Sequence, residues 1–489
     1  MVVMVRFFAY HRLYAHRQKS VKTMPTCQAK DFKITIDGTQ SPYTVAAEYE
    51  GQTGHGQFQH DALQPDWAET LRVLAATQTP PGEPLILRIG GLLFDELIQG
   101  SIRDLWVQAR NGLTIGEHLR VRLNLRPPAV AALPWETLVD PRRRRALAAD
   151  KSFALVRTVT DVEFLDKPRP IDAQLPAKIL VIAVEEPNSL DLAAEINHIQ
   201  TSLSLLRPTH IELNILQGRV DLPALRRRLE EYRPDILHII SHGEMDGIYL
   251  WGNDGLSLVK ASQWAALLGL VDSVKLVFLN ACLAGQTDDS IQFVSLAQRL
   301  LQTGIPAVIA MQFEVLDRAA AEFAGFLYTA LVTGPCPGAI DTAVSIARSG
   351  LYISNPDRID YATPLLWLNS PNGLILQWAN GAAQSSHVAP RAALAEPLPP
   401  PPPLVLDIGE KEQWFAQLPD TIAVPELHFD YAERKKVIEN ALRGLRQDYD
   451  TQQTVQPLDT GRVNERLNIF NTERRILDKI IERVRRAAE

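Results

Sequence analysis

The sequence predicts an α/β sandwich on about six mostly parallel strands, with a smaller α+β region before it and a charged helical region after it. Two observations support this prediction. Between about residues 175 and 380, unbroken apolar runs such as Lys178–Val184 alternate with helical patterns such as Leu222–Tyr232. Unbroken apolar strands are buried on both faces, and helical crossovers between them favour a parallel sheet.

The other elements of this region follow the same alternation. Strands are predicted over Lys178–Val184, Ile211–Leu216, Asp235–Ser241, Val274–Ala281, Ala307–Phe313 and Pro364–Leu368. Helices are predicted over 192–206, Leu222–Tyr232, Ala261–Leu268, Ser290–Thr303, Asp317–Val332 and Ala339–Ser349. The smaller region before them has strand-like stretches at Phe32–Asp37, Leu85–Ile89 and 119–125.

Composition divides the chain into five segments. They are a basic leader over 1–24, an α+β part over 25–170, the α/β region over 171–380, a Pro-rich linker over 381–403 and a charged helical module over 404–489. The leader has five basic residues and no acidic one. We interpret it as disordered, with a transit peptide as the alternative.

Two further features allow more than one interpretation. The run Arg142–Arg145 is typical of a solvated loop, and a partner-binding or cleavable loop is the sharper alternative. The last segment carries apolar residues at heptad spacing between Val463 and Val484, with Arg474 in one gap. We favour an amphipathic helix in its own small bundle, and a coiled coil that makes an oligomer or binds a partner is the alternative.

Bulk properties exclude several classes of function. The formal net charge is −7, whereas a direct nucleic-acid binder needs a concentrated basic face. No apolar run reaches the ~18–20 residues that span a bilayer. Three cysteines, Cys27, Cys282 and Cys336, argue against a disulfide framework and for a reducing, cytoplasmic compartment. No zinc spacing, phosphate loop or dinucleotide fingerprint is present, so we expect neither metal nor cofactor.

Reactive groups follow two of the predicted strands. Asp235–Ser241 leads into His242 and Gly243, and Val274–Ala281 leads into Cys282. Sites in parallel α/β sheets collect at the carboxyl ends of strands, so these residues are expected side by side. An imidazole there could activate the thiol and protonate a leaving amine, and the Gly243 amide could approach a substrate oxygen.

Each residue also has a structural interpretation. A lone cysteine at a strand end is often a small apolar core residue, and a lone histidine is often a hydrogen-bonded structural one. The joint pattern of two such strands, about forty residues apart, favours the functional interpretation. His238 lies four residues before His242, roughly 13 Å away on a strand, so we interpret it as a core or supporting residue. Cys336 is expected in a loop.

Four stretches together resemble the CHAT family of caspase-like cysteine peptidases, in the clan of caspases and separases. They are AVAALPWETLVDP (129–141), DILHIISHGEMDGIYL (235–250), VKLVFLNACLAGQ (274–286) and the segment 304–334. The resemblance covers roughly residues 85–375. It implies a caspase-like three-layer sandwich over 171–380, and a pseudo-caspase-like part over 25–170.

The resemblance also implies roles for single residues. Cys282 would be the nucleophile and His242 the general base and acid, with the amides of Gly243 and Cys282 as the oxyanion hole. Asn280 stands where metacaspases carry an acidic residue in the substrate pocket, so a strong preference for Arg or Lys is not supported from that position. Glu314 and Asp317 could approach the pocket, although Asp317 fits a helix N-cap equally well.

The sequence therefore predicts a regulated cytoplasmic endopeptidase that cleaves a partner protein. The resemblance adds a bacterial defence role, with a gasdermin-like substrate encoded nearby and an activating partner. The chain departs from the family in lacking tetratricopeptide repeats, and 404–489 match no known module. The alternative is a non-catalytic caspase-like scaffold that oligomerises through its C-terminal helix. A metabolic α/β enzyme is disfavoured because the cofactor loop is missing.

Overall fold

A computed structural model describes most of the first 378 residues and parts of the rest. The described residues are 28–59, 83–142, 145–158, 169–185, 192–206, 208–244, 247–283, 292–313, 317–378, 408–419, 434–436, 438–440, 442–446, 470, 474, 477 and 481. Contacts divide the chain into one compact unit over 1–388 and a second over 389–489. The predicted leader 1–24, the linker 381–403 and most of the heptad stripe lie outside the described residues.

Seventeen strands are found in the described part of the first unit. Their bounds are β1 Gln28–Asp37, β2 Tyr43–Tyr49, β3 Gln52–Phe58, β4 Glu117–Leu125, β5 Val139–Asp140, β6 Arg145–Ala146, β7 Phe153–Arg157, β8 Asp172–Ala173, β9 Ala177–Val184, β10 Ile211–Gly218, β11 Ile236–Glu244, β12 Gly247–Gly252, β13 Gly255–Lys260, β14 Leu276–Leu283, β15 Ala307–Met311, β16 Pro364–Leu368 and β17 Gln377–Trp378.

Thirteen of these strands form one sheet. Eleven follow the order β10-β9-β11-β14-β15-β16-β7-β4-β1-β2-β3, and the hairpin β12–β13 is attached to β11. Pairing is parallel except between β15 and β16, along β1–β2–β3, within the hairpin and where the hairpin strand β12 joins β11. The six strands predicted for the α/β region are the contiguous set from β10 to β16, which confirms the mostly parallel sheet.

Ten helices accompany the strands in the described residues. They are α1 Glu83–Leu97, α2 Gly100–Asn111, α3 Pro128–Ala131, α4 Leu192–Ser202, α5 Leu222–Tyr232, α6 Ala261–Gly269, α7 Gln292–Gln302, α8 Asp317–Thr333, α9 Ile340–Ser354 and α10 Ile408–Ala416. Around β9–β16, residues of α4, α8 and α9 share one apolar core with one sheet face, and those of α5, α6 and α7 share a second core with the other face. This is the predicted three-layer sandwich.

The strands β7, β4, β1, β2 and β3 form the other half of the sheet, and only one of its faces is apolar. Alternate residues of β1, such as Phe32 and Ile34, are buried in the core that contains α1 and α2, whereas Lys33 between them is exposed. On β4, Leu119 and Val121 enter the same core and Arg120 lies between them. Strands with one apolar and one polar face alternate in this way, while strands packed between two apolar layers do not. At Arg120 the polar face is itself covered, because this side chain is buried.

One predicted strand is wrong. Leu85–Ile89 lies within helix α1, because the apolar positions continue at helical spacing through Ile86, Ile89, Leu93 and Leu97, all of which are buried. A five-residue apolar window cannot distinguish a strand from part of such a helix. Helix α2 and the hairpins β2–β3 and β12–β13 were not predicted.

The two halves of the sheet meet at β7 and β16. Among the described residues, these two strands pair through Arg157 and Trp367. Arg348 of α9 reinforces this seam by donating to the carbonyls of Leu155 and Pro364, on its opposite sides. Burial lowers the pKa of Arg348 to about 10, which still leaves its guanidinium charged near neutral pH.

Cys336 corrects one expectation from the sequence. It lies in the predicted loop, between α8 and α9, but it is disulfide-bonded, contrary to the expected absence of disulfides. The position of this loop follows from α8. Tyr328 in α8 is hydrogen-bonded to His238, which lies roughly 13 Å along β11 before His242, and Cys336 follows eight residues later. The disulfide therefore lies at the end of the sheet opposite His242.

The second unit is described only in part. Trp414 of α10 contacts the Phe470 ring edge-on at 5.7 Å, and the Arg474 guanidinium lies over the Trp414 ring at 4.8 Å. Phe470 and Leu477, two members of the heptad stripe, are fully buried within the chain. These contacts fit an intramolecular bundle, and oligomerisation remains a prediction. Throughout the described ranges, no helix combines the length and apolarity needed to cross a bilayer.

Candidate functional site

The central feature is the register between β11 and β14. These strands are parallel neighbours, and His242 is the Cα partner of Cys282. Adjacent strands lie about 4.8 Å apart, so the backbones of the two residues are direct neighbours. Both residues lie within two positions of the carboxyl end of their strand. The sequence-predicted neighbours are therefore placed together at one edge of the sheet.

Alternation along β11 shows which face His242 occupies. Ile236 and Ile240 are buried in the core that contains α4 and α8. His242 is separated from Ile236 and Ile240 by even numbers of residues, so it lies on the same face of the sheet. Its side chain there is half-buried rather than sealed in the core. It combines access from solvent with a fixed backbone, as a proton-transfer group requires.

Gly243 is buried and lies between two strands. Its Cα partners are Leu283 on β14 and Ile248 on β12. The backbone at the predicted oxyanion donor is thus held on both sides by sheet pairing. The second predicted donor is the amide of Cys282. It belongs to β14, which pairs with β11 on the side opposite β12.

The hairpin β12–β13 forms a wall beside this strand end. Ser241 donates its hydroxyl to the carbonyl of Tyr249 at 2.8 Å, which ties the hairpin to β11. Gly247 permits the close approach, because a Cβ at that position would lie 2.2 Å from the carbonyl oxygen of Val259. The sequence contained a signal for this hairpin in Asn253-Asp254-Gly255 between two strand-like runs.

The far end of the hairpin is fixed at the neighbouring strand ends. Trp251 donates its indole N–H to the carbonyl of Glu185, just after β9, at 2.7 Å. The Arg219 guanidinium, just after β10, lies over the Trp251 ring at 4.7 Å. The hairpin therefore crosses the carboxyl ends of β9 and β10 and helps to define that side of the edge.

The three predicted substrate-binding residues have different positions. Asn280 is buried on β14, two residues before Cys282, and its Cα partner is Ile240. Asp317 is the first residue of α8, which follows β15 at the same edge. Glu314 lies outside the described residues. Contact of these three positions with a substrate remains a prediction.

His238 is a core residue, as interpreted from the sequence. It is 1% exposed, stacks on Phe278 at a centroid distance of 4.3 Å, and its Nδ1 is hydrogen-bonded to the Tyr328 hydroxyl at 3.0 Å. Burial lowers its pKa to about 3, so its imidazole is neutral near pH 7. The two histidines of β11 therefore have separate environments, one sealed in the core and one at the edge.

A buried polar cluster that no sequence pattern indicates lies where β15 ends. Glu136, from the stretch AVAALPWETLVDP, is 1% exposed and accepts two hydrogen bonds from Arg157, at 3.0 and 2.8 Å. The same carboxylate accepts a third bond, at 3.2 Å, from the side chain of Gln312, the first residue after β15. We call Glu136, Arg157 and Gln312 the seam cluster. The resemblance had indicated that this stretch matters, but not its partner.

Together, the fold and the register define the class of this protein. A mostly parallel sheet between helical layers, with a histidine and a cysteine paired at neighbouring strand ends, is a caspase-like arrangement. The CHAT domain family model matches residues 87–378, more than half of the chain. The chain belongs to the CHAT domain family.

The chain is similar to a chain of the Saccharomyces cerevisiae separase–securin complex, with 11% sequence identity and a TM-score of 0.43. The match covers 71% of this chain and 30% of the yeast chain, so this chain spans less than a third of that length. No curated protein matches the sequence. Among the described residues, no group of three His, Cys, Asp or Glu is arranged to hold a metal ion.

Proposed function

We propose that the chain is a cysteine endopeptidase, with Cys282 as the nucleophile and His242 as the general base and acid. The observation that supports this most is the register pair His242–Cys282 at the carboxyl ends of adjacent parallel strands. A core role for both residues is disfavoured by the half-buried position of His242, because the other histidine of β11 is sealed in the core.

The proposed chemistry has two halves. His242 takes the proton of the Cys282 thiol, and the thiolate attacks the carbonyl carbon of a substrate peptide bond. The protonated imidazole then gives that proton to the departing amine, and a thioester is left on Cys282. Water, activated by the neutral imidazole, hydrolyses the thioester and regenerates the thiol. The amides of Gly243 and Cys282 are the proposed donors to the oxyanion in both halves.

The proposal extends to substrate and regulation. Asn280, Glu314 and Asp317 are the proposed lining of the substrate pocket. The substrate is a partner protein encoded near this chain, gasdermin-like in a bacterial defence role, and cleavage takes place in the cytoplasm. The charged unit after the Pro-rich linker, 404–489, is the proposed place where an activating partner acts.

The test is covalent labelling of the full-length chain with a panel of peptidyl acyloxymethyl ketones that differ at the residue before the reactive group. We expect wild-type protein to be labelled at Cys282 and Cys282→Ala to lose all labelling. The control is the double variant Cys27→Ala/Cys336→Ala, which removes the Cys336 disulfide and keeps Cys282 as its only cysteine; assayed below its own melting midpoint, it should keep labelling.

Two outcomes would contradict the proposal. Undiminished labelling of the folded Cys282→Ala variant would show that Cys282 is not the nucleophile. An unlabelled wild-type chain, even when co-expressed with its neighbouring genes, would favour the non-catalytic scaffold. Scaffold function would then be tested by comparing the oligomeric state of the full chain with that of a chain ending at residue 403.

A further inference from the structure

The seam cluster has an unusual position for buried charges. Glu136 lies in the 3₁₀ turn Trp135–Thr137 of the N-terminal half, and Arg157 ends β7 of the same half. Gln312, in contrast, belongs to the half that carries His242 and Cys282. Glu136 and Gln312 are 176 residues apart in sequence, and their side chains are within hydrogen-bond distance. The cluster therefore joins the two halves.

Gln312 stands close to the strand that carries Cys282. The last residue pair between β14 and β15 is Leu279 with Ala310. Gln312 follows Ala310 by two residues and is the first residue after β15. The pairing itself ends at Ala310; were the same register extended, Gln312 would stand opposite Ala281, the residue before Cys282. Gln312 is thus where the chain leaves the sheet to reach α8, immediately beside the candidate site.

Three hydrogen bonds fix Gln312. Its backbone N–H donates to the carbonyl of Thr363 at 2.9 Å, and its side-chain amide donates to the carbonyl of Ala362 at 2.6 Å and to Glu136 at 3.2 Å. The carboxylate is itself immobilised, because Arg157 holds both of its oxygens. Arg157 is held in turn by the carbonyl of Ala131 at 2.8 Å.

We propose that Glu136 is a positioning residue for the active site, which acts through Gln312 to fix the backbone where β15 ends beside Cys282. This inference rests on the proposed function for its effect on catalysis, although its structural part does not. A buried ion pair is weak evidence for stability, because apolar residues of similar volume often serve as well. Directional hydrogen bonds, however, fix an atom's place in a way that apolar contacts do not, and reactivity is sensitive to shifts of about 1 Å.

The chain offers a matched control for the cost of disturbing a buried carboxylate. Asp341 is also 1% exposed and is bonded to Arg120 at 3.0 Å and to His118 at 3.5 Å. Burial raises the pKa of Asp341, but the hydrogen bond to His118 and the charge of Arg120 outweigh it, so the pKa is lowered. Asp341 lies at the start of α9, at the end of the sheet opposite His242.

The experiment compares Glu136→Gln, Gln312→Ala, the double variant and Asp341→Asn, all in the full chain. Labelling of Cys282 by the most reactive acyloxymethyl ketone is measured well below each melting midpoint, with the inactivation rate constant and the half-saturating concentration determined separately. Amide hydrogen exchange is measured for residues 310–320. Both single variants should lower the labelling efficiency at least tenfold, the double variant should lower it no further, and exchange over 310–320 should accelerate.

Asp341→Asn should melt at a lower temperature yet label at the wild-type rate and keep wild-type exchange over 310–320. Additive effects of Glu136→Gln and Gln312→Ala, or equal loss of labelling in Asp341→Asn, would overturn the inference. If wild-type protein is not labelled at all, the proposed function fails by itself. Hydrogen exchange over residues 310–320 then still tests whether Glu136 positions this segment. Unchanged exchange in both Glu136→Gln and Gln312→Ala would refute that role.

Discussion

The two halves of the thirteen-stranded sheet handle polar groups in different ways. In β9, β10, β11, β14, β15 and β16, helices pack on both faces, the strands are mainly apolar, and the candidate chemistry lies at the strand ends. In β1–β4 and β7, one face carries charged residues, and several charges are buried as ion pairs, such as Arg157 with Glu136 and Arg120 with Asp341. The first half presents reactive residues, and the second supplies rigid polar contacts to it.

This difference indicates how the geometry of an active site can be fixed by residues that are not part of the site itself. A charge on a strand that is buried on both faces needs a partner in the core. The neighbouring half, with one polar face, can place such charges near the seam and reach across it. Four predictions test this division of roles, in order of decreasing effect.

The largest effect is expected at His242. His242→Ala should lower the rate of Cys282 labelling by about 10²- to 10⁴-fold, since proton transfer by a positioned side chain contributes that much. Its melting temperature should stay near that of wild type, because the side chain is half-buried at an edge. Exposed His55, on β3, gives the control His55→Gln, which should label normally. A His242→Ala variant that labels at the wild-type rate would remove the chemistry from this strand end.

Arg157 should show a large effect on stability. Arg157→Met leaves the Glu136 carboxylate buried without its partner and should cost about 3–5 kcal/mol in the free energy of unfolding. Urea denaturation measures this. The exposed pair Arg126–Asp37 of the same half is the control, and Arg126→Met should cost less than about 1 kcal/mol. Equal losses in the two variants would show that burial at the seam has no special weight.

His238 should make stability depend on pH. Its pKa is about 3 in the folded chain, below the ordinary 6.5, so below pH 6.5 the unfolded chain binds a proton that the folded chain does not. The contribution of His238 to the free energy of unfolding is complete above pH 6.5. It is lost, at about 1.4 kcal/mol per pH unit, as pH falls towards 3. Between pH 7 and 5, His238→Phe/Tyr328→Phe should lose about 2 kcal/mol less than wild type in urea denaturation. Identical pH profiles for the two proteins would contradict this.

The smallest effect is expected at Asp221, the N-cap of α5. Its carboxylate accepts a hydrogen bond from the backbone N–H of Ala224 at 2.7 Å, so Asp221→Ala should cost about 1 kcal/mol. Exposed Asp272, paired with Arg233, provides the control, and Asp272→Ala should change the free energy of unfolding by less than about 0.5 kcal/mol. Thermal denaturation distinguishes the two. Equal values would mean that the cap adds nothing beyond surface charge.

Prediction from the sequence also succeeds to different degrees in the two halves of the sheet. The six strands β9, β10, β11, β14, β15 and β16 were predictable, because strands packed between two helical layers are short apolar runs between helical patterns. The pairing of His242 with Cys282 was also predictable from strand succession. In the other half, the apolar window Leu85–Ile89 predicts a strand but belongs to helix α1, and no sequence pattern predicts β2 or β3. An alternating pattern loses its contrast where strands such as β3 carry glycines and few apolar residues.

The seam cluster could not be predicted from the sequence by physical reasoning. Glu136 looks like an ordinary surface glutamate in a short turn, and Gln312 like a residue at a strand end. Their contact depends on how two halves of the chain meet, which no local pattern records. The resemblance marks the stretch around Glu136 as part of the family pattern. The structure shows that the partners of Glu136 are Arg157 and Gln312.

The continuous sheet has a consequence for proteolytic processing of this chain. Arg142 and Arg145 flank the tip of the β5–β6 hairpin, and a cut there would separate a fragment that contains β4 from one that contains β7. Strand β4 pairs with β7 over five residues, so the two fragments would remain one folded body. Such a nicked chain would elute as a single species under native conditions and would resolve into two bands only after denaturation.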